Sequence, residues 1–258
     1  MTQPFQLLPP NRQHLPQDCF LAPEPVSSPP SPRIKCPKAD YRSWTTWPEV
    51  GQTMRYAPAV HLRQSWRAKP EEGFTPGTAA VAHAQNELII YAELSDDDIF
   101  NPIRENGIHA YRCGDVFEIF LRAADEENYF EHHITPNNCT LQLCFPSSSV
   151  FRRIKKSEDS DWARDFAGTT PVSSHVLVQT DQALWRILAI IPLNAIFSNP
   201  AREIPAEWRF SLCRYDYIIG KESPILSSTS AYRKPDFHDL DAWGTLTLVE
   251  ESLPQDLS

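Results

Sequence analysis

The sequence predicts an all-β fold, an antiparallel β-sandwich of jelly-roll-like form with one short helix and an extended proline-rich N-terminal arm. Three observations carry that expectation. From Tyr41 onward the chain breaks into short apolar segments, each bounded by Pro, Gly, Asn, Asp or Ser, as strand-rich domains do. Several segments alternate with period two yet hold apolar residues on both faces, which suits strands lying where two sheets pack. Ten of the 24 prolines fall before residue 40, where fixed φ angles and missing N–H donors disfavour helix and sheet interior alike.

In chain order, residues 1–36 read as the arm, 37–252 as the sandwich and 253–258 as a short tail. Runs such as Pro29-Pro30-Ser31-Pro32 define the arm. Strands are expected at 58–66, 78–84, 87–95, 115–122, 128–135, 139–145, 172–180, 184–191, 207–215 and 243–249. The fourth places Phe117, Ile119 and Leu121 on one face and Val116, Glu118 and Phe120 on the other, so it belongs in the middle of a covered sheet. Trp185, Ile187, Ala189 and Ile191 likewise share a face, opposite Leu184, Leu188 and Ile190. A short helix is expected at 193–197, and the charge-rich stretch 152–168 reads as an exposed crossover.

A chain of 258 residues that is 41% hydrophobic and 11% aromatic can bury one large core. Its formal charge of −9 argues against nucleic acid, whose binders cluster Lys and Arg to release phosphate counterions. No apolar stretch approaches the roughly 20 residues that span a bilayer, and the first residues lack a cationic start followed by an apolar run, so the expectation is a cytoplasmic chain without membrane contact. The six cysteines, at 19, 36, 113, 139, 144 and 213, show neither CxxC nor Cys/His metal spacing and are expected to be reduced.

The densest polar residues on expected strands run from Tyr111 to Asn138. A carboxylate on a mostly apolar strand is costly unless it is paired or hydrogen-bonded. Glu118 and Glu131 are therefore either acceptors for sugar hydroxyls or members of a structural ion pair inside the sandwich. Two carboxylates also admit glycosidase chemistry, but no glycosidase motif accompanies them. His132 and His133 are adjacent and so point to opposite faces, which prevents them from chelating one ion together. G-x-S-x-G, G-x-G-x-x-G and the phosphate-binding loop pattern are all missing. The acidic runs Asp96-Asp97-Asp98 and Asp236 to Asp241 lack EF-hand spacing and read as solvated loops. Sugars stack their C–H faces on flat rings, and Trp44, Trp47, Trp66, Tyr111, Tyr215, Tyr217, Tyr232 and Trp243 lie at expected strand ends or in loops.

The order Trp66, LIIYAELSDDDIF, GDVFEIFL, YFEHHITPNN, WRILAIIPL, WRFSLCRYD, DFHDLDAWGTLTL is similar to that of family 9-like carbohydrate-binding modules, over about residues 58–250. The resemblance implies a β-sandwich that binds a sugar chain end, a terminal sugar or short oligosaccharide, in an aromatic-lined slot without cleaving it. It matches Glu118 to the acid that closes the family's D-x-x-E motif and contacts sugar, and Arg214 to the arginine of W-R-F-x-x-x-R. Tyr111 and Tyr232 stand where the family carries two slot tryptophans. With Glu131, these residues form the expected ligand-binding set. No catalytic residue, protein metal site or cofactor is expected, although some family members hold structural calcium, which has no assigned place here. Two other readings stay open: a DOMON-like sandwich binding haem, for which Met54 is the internal methionine that an axial pair would use, and an interaction domain with a degenerate sugar slot.

Overall fold

The computed structural model describes residues 30–155, 162–168, 170–197 and 202–254; the expected arm up to residue 29 and the last four residues of the expected tail lie outside them. Twelve strands are described: β1 (Arg33–Lys38), β2 (Ala59–Leu62), β3 (Gly77–Ala84), β4 (Glu87–Ser95), β5 (Val116–Ala123), β6 (Tyr129–Ile134), β7 (Thr140–Phe145), β8 (Ser173–Gln179), β9 (Leu184–Pro192), β10 (Glu207–Asp216), β11 (Ile225–Ser228) and β12 (Gly244–Ser252). Three helices accompany them: α1 (Trp47–Met54), α2 (Ser148–Lys155) and α3 (Trp162–Asp165). Ten strands coincide with the expected ones to within a few residues, because their period-two pattern is strong.

The strands form one curled sheet in the order β7-β6-β5-β10-β12-β1-β3-β4-β9-β8, with β11 on β10 and β2 on β3. The join between its two halves lies in β1. That strand pairs with β12 from Arg33 to Cys36, shifts register so that Lys38 pairs with Ser252, and at Lys38 also meets β3 opposite His83. Both pairings are parallel, so the sheet is mixed where a purely antiparallel one was expected. The two halves face each other like the layers of a sandwich, and their inward rows merge into one apolar core: Phe117, Ile119 and Leu121 from β5, Leu88 and Ile90 from β4, Trp185 and Ile187 from β9, Trp208 and Leu212 from β10. Each such side chain contributes about 1.5–3 kcal/mol on burial.

Ile34 and Cys36 of β1 belong to that same core, so the boundary of the arm at residue 36 falls inside a sheet strand and is corrected here. Leu253, expected in the tail, is buried and donates its N–H to Lys38 O at 2.8 Å. The helix expected at 193–197 is a single 3-10 turn, Leu193–Ala195. Instead, α1 packs Val50 and Met54 on the outer side of the half-sheet containing β3 and β4, among Ala80, Ala82 and Ile89. Its start is set by a capping box: Thr46 N–H donates to Glu49 Oε2 at 2.9 Å while the Glu49 N–H faces Thr46 Oγ1. The stretch expected as a bare crossover carries α2 and α3. Phe151 of α2 and the strand-like segment around Ala167 cover β7 at the other end of the sheet.

Candidate functional site

The outer face of the half-sheet β10-β5-β6-β7 holds the polar group that the sequence singled out. Register places Glu118 opposite both His133 and Cys213, and Phe120 opposite Glu131, so Glu118, Glu131 and His133 project from the same face. Covering segments then close over them. Aromatic rings of Phe120, Tyr129, Phe145, Tyr232 and Trp243 form an apolar surround, and Glu118 and Glu131 retain 2% and 5% exposure.

Within this surround His133 Nε2 is 2.5 Å from Glu131 Oε1 and 3.3 Å from Glu118 Oε1. His238, from the loop before β12, brings Nε2 to 3.7 Å from Glu131 Oε2, while its Nδ1 lies 2.9 Å from the Tyr129 hydroxyl. Burial pushes the Glu118 carboxyl up to about 8, with the Glu131 charge adding to the effect and His133 opposing it. Burial also pushes His238 down to about 4, so it is neutral at neutral pH. For His133 burial favours the neutral ring, but the two carboxylates outweigh it and raise the imidazole above its ordinary value. Burial works against the Glu131 charge, but His238 and the His133 that hydrogen-bonds it outweigh burial and hold this carboxyl below the usual range.

Tyr111 closes the top of the group. It sits in a 3-10 turn, Ala110–Arg112, its ring meeting His133 edge-on at 5.8 Å and Tyr215 at 5.2 Å. Tyr111 as a whole is only partly buried. Its backbone is pinned by the Tyr217 hydroxyl, which donates to Tyr111 O at 2.8 Å. The loop also depends on Gly114, where a Cβ would come within 2.7 Å of Asn101 Cα and 2.8 Å of Phe100 O. Next to this loop a groove of about 360 Å³ runs along the β7 edge, lined among others by Asn106, Thr140, Gln142 and Thr170. No local pattern marks that groove, because it forms only when Asn106 and Gly107, β7, and Ala167, Gly168 and Thr170 come together.

Tyr111, Glu118 and Glu131 are therefore one group, and the other two expected ligand residues stand apart from it. Tyr232 is wholly buried; its hydroxyl is 2.9 Å from Phe237 O and 3.0 Å from Ser211 Oγ, so it frames the apolar surround with neither face open. Arg214 pairs across from Phe117 and points to the inner side, opposite to Glu118. There it is 1% exposed, 2.8 Å from Asp96 Oδ2 and 3.2 Å from Asp216 Oδ1, and it donates to Thr75 Oγ1 and Ser95 O. Neither residue therefore shares a face or an opening with Tyr111, Glu118 and Glu131.

Asp96, Asp115 and Asp216 converge around this arginine, the one place among the described residues where several aspartates could suggest calcium. They do not fit it. The guanidinium occupies the position between Asp96 and Asp216, and both Asp115 oxygens accept backbone N–H bonds, from Phe100 at 2.6 Å and Tyr217 at 2.8 Å, leaving no open set of oxygens for an ion that wants six to eight. Met54, the methionine that a haem reading needs, is 1% exposed and packed with Val50, Ile89 and Leu188.

No protein-family model matches the chain, and no curated protein sequence matches it. Solved structures do. A Bacteroides uniformis protein described as a candidate carbohydrate-binding protein superposes with a TM-score of 0.60 at 13% identity, over 85% of this chain and 99% of that one. A family 9 carbohydrate-binding module of Caldicellulosiruptor kristjanssonii, in complex with cellotriose, gives 0.57 at 13% identity over 88% and 97% of the two chains. The module from the same organism in complex with glucose gives 0.55 at 13% identity over 87% and 100%. The chain thus has the fold of the family 9 carbohydrate-binding modules.

Proposed function

We propose that this chain is a non-catalytic carbohydrate-binding domain that receives a terminal sugar or short oligosaccharide at Tyr111. The observation that carries the reading is the position of Tyr111: its ring meets His133 of the buried Glu118–His133–Glu131 group, while the residue keeps some exposure to solvent. A flat ring fixed by its surroundings offers a stacking surface at little entropic cost. Arg112, 5.7 Å above the same ring, and the polar lining of the adjacent groove supply groups for hydroxyls. Glu118 and Glu131 act from below in this reading: they hold His133, and His133 props the ring. The fold adds support, since structures that share it were solved with cellotriose and with glucose bound.

The test is a glycan array on the pure protein followed by calorimetric titration of the selected sugar. Tyr111→Ala should lose about 1 kcal/mol of binding or more, a weakening of at least about fivefold, while remaining folded. An array without signal, or an unchanged Kd in the folded variant, would overturn the proposal.

A further inference from the structure

We infer that Glu118, Glu131 and His133 form a binding site for a divalent first-row transition-metal ion, with Zn²⁺ the ion that the ligand types suit best and His238 the residue that positions Glu131 from the outer side. One ligand atom each from Glu118, Glu131 and His133 lie within 4.8 Å of one another, and His238 Nε2 approaches the far oxygen of Glu131 at 3.7 Å. With bonds of about 2.0–2.2 Å, neighbouring donors around a tetrahedral ion stand roughly 3.2–3.6 Å apart. The 3.3 Å separation of His133 Nε2 from Glu118 Oε1 is close to that spacing, and His238 faces the other Glu131 oxygen from outside the cluster. The 2.5 Å pair of Glu131 and His133 opens by about 1 Å when the proton between them gives way to an ion.

Hydrogen-bond accounting points the same way. His133 Nε2 has a single hydrogen to give, and two buried carboxylates compete for it. Glu131 Oε2 is buried and has no hydrogen-bond partner among the described residues, and the nearby His238 nitrogen stands beyond hydrogen-bond reach. An unsatisfied buried carboxylate oxygen is costly. The ring of His238 is nevertheless fixed: Phe151 stacks on it at 3.5 Å, and Tyr129 engages Nδ1. A histidine whose second nitrogen is held by a protein group, leaving Nε2 aimed at a carboxylate, orients that carboxylate as the outer-shell partners of metal ligands do.

Charge permits the ion: a divalent cation that displaces the protons of Glu118 and His133 to solvent balances the two carboxylate charges, so the loaded group is neutral in its apolar surround. An imidazole nitrogen with two carboxylates, the remaining position left to water, suits zinc-class ions better than calcium, which prefers an all-oxygen shell. The partly exposed Tyr111 loop lies over the group and is the natural entry. The inference does not rest on sugar binding.

The test uses the full untagged chain, stripped by dialysis against a chelator and then equilibrated with ZnCl₂ and, separately, with CoCl₂. One equivalent of Zn²⁺ should bind, and at 100 times Kd it should raise Tm by about 5–11 °C. Bound Co²⁺ should show the intense visible bands of a four-coordinate site with an imidazole ligand. Glu118→Gln and His238→Gln should each weaken Zn²⁺ binding by about 10-fold or more. Wild-type protein that binds no stoichiometric Zn²⁺, or that binds it undiminished in His238→Gln, would overturn the inference. Should a variant not fold, the wild-type Co²⁺ spectrum decides, since weak six-coordinate bands would refute the site. Sugar titration of the stripped protein is read separately, so failure of one reading is distinguishable from failure of the other.

Discussion

Replacing Arg214 by Met separates a frame residue from a ligand residue. Methionine keeps much of the side-chain length and apolar stem while removing the charge and all the donors. In the wild type the guanidinium lies 2.8 Å from Asp96 and 3.2 Å from Asp216 and donates to Thr75 Oγ1 at 3.0 Å and Ser95 O at 2.8 Å, at 1% exposure. Removing one partner of such a buried pair leaves an uncompensated charge and costs about 3–5 kcal/mol. At about 2–4 °C per kcal/mol for a chain of this size, Tm should fall by about 6–20 °C near pH 7. The remaining carboxylates can relieve part of this by taking up protons. Asp96 is already raised by burial despite the Arg214 charge, and Asp216 is pushed up to about 6, so the deficit should shrink at pH 5. Urea unfolding and calorimetric melting at both pH values measure the cost, and titration of the array-selected sugar measures binding in the folded variant. An Arg214→Met protein that melts within about 2 °C of wild type yet loses sugar affinity would refute the reasoning and return Arg214 to the ligand set.

Two further outcomes follow from burial. Asp216 is raised from 3.8 to about 6, chiefly by burial with Arg214 opposing; because the folded value lies above the unfolded one, the stability linked to its proton is whole below about pH 4 and is lost as pH rises through 6. Asp216→Asn lacks that proton equilibrium, so between pH 4 and pH 8 wild type should lose about 3 kcal/mol relative to the variant, and a difference constant across that range in urea unfolding would refute the account. Ile34→Ala should cost about 2–5 kcal/mol, as deletions in a packed core do, because Ile34 sits in the main core; a loss below about 0.5 kcal/mol would show that β1 is not docked.

The strands that were legible are those whose pattern is local. β4, β5 and β9 carry apolar residues in both rows and β10 sets Trp208, Phe210 and Leu212 against a polar row with Arg209 and Ser211, so parity separates the two faces. β1 has a readable alternation too, with Ile34 and Cys36 between Arg33 and Lys35, but the prolines around it point away from a sheet. The structure reconciles the two signals: Pro37 stands at the register shift between Cys36 and Lys38, where β1 slips on β12 and, from Lys38, also links to β3, so its missing N–H breaks no regular pair. Thr46 and Glu49 carried a capping-box signal for α1 that was overlooked among strand-like surroundings. β11 is four residues long with two serines, too short for periodicity to register. The hand-over that curls the sheet depends on contacts between distant segments, and no local pattern encodes it.

For the site, parity was the more dependable guide than motif. The same period-two count that joins Glu118 to Phe120 joins Glu131 to His133 across β5 and β6, and the group forms as that count requires. The count also applies to β10: Trp208, Phe210 and Leu212 are core residues, so Arg214, two positions on, must face inward with them, away from Glu118. A role carried over by motif placed Arg214 with Glu118 although strand geometry had already set them on opposite faces. Tyr232 lies in a loop with no period to count, and its burial follows from the fit of the 230–243 segment over β10. His238 belongs to that same segment. It reaches the carboxylates only because Phe237 and Trp243 anchor the loop on Phe120, so the fourth member of the polar group is set by packing of the cover and the first three by the strands beneath it.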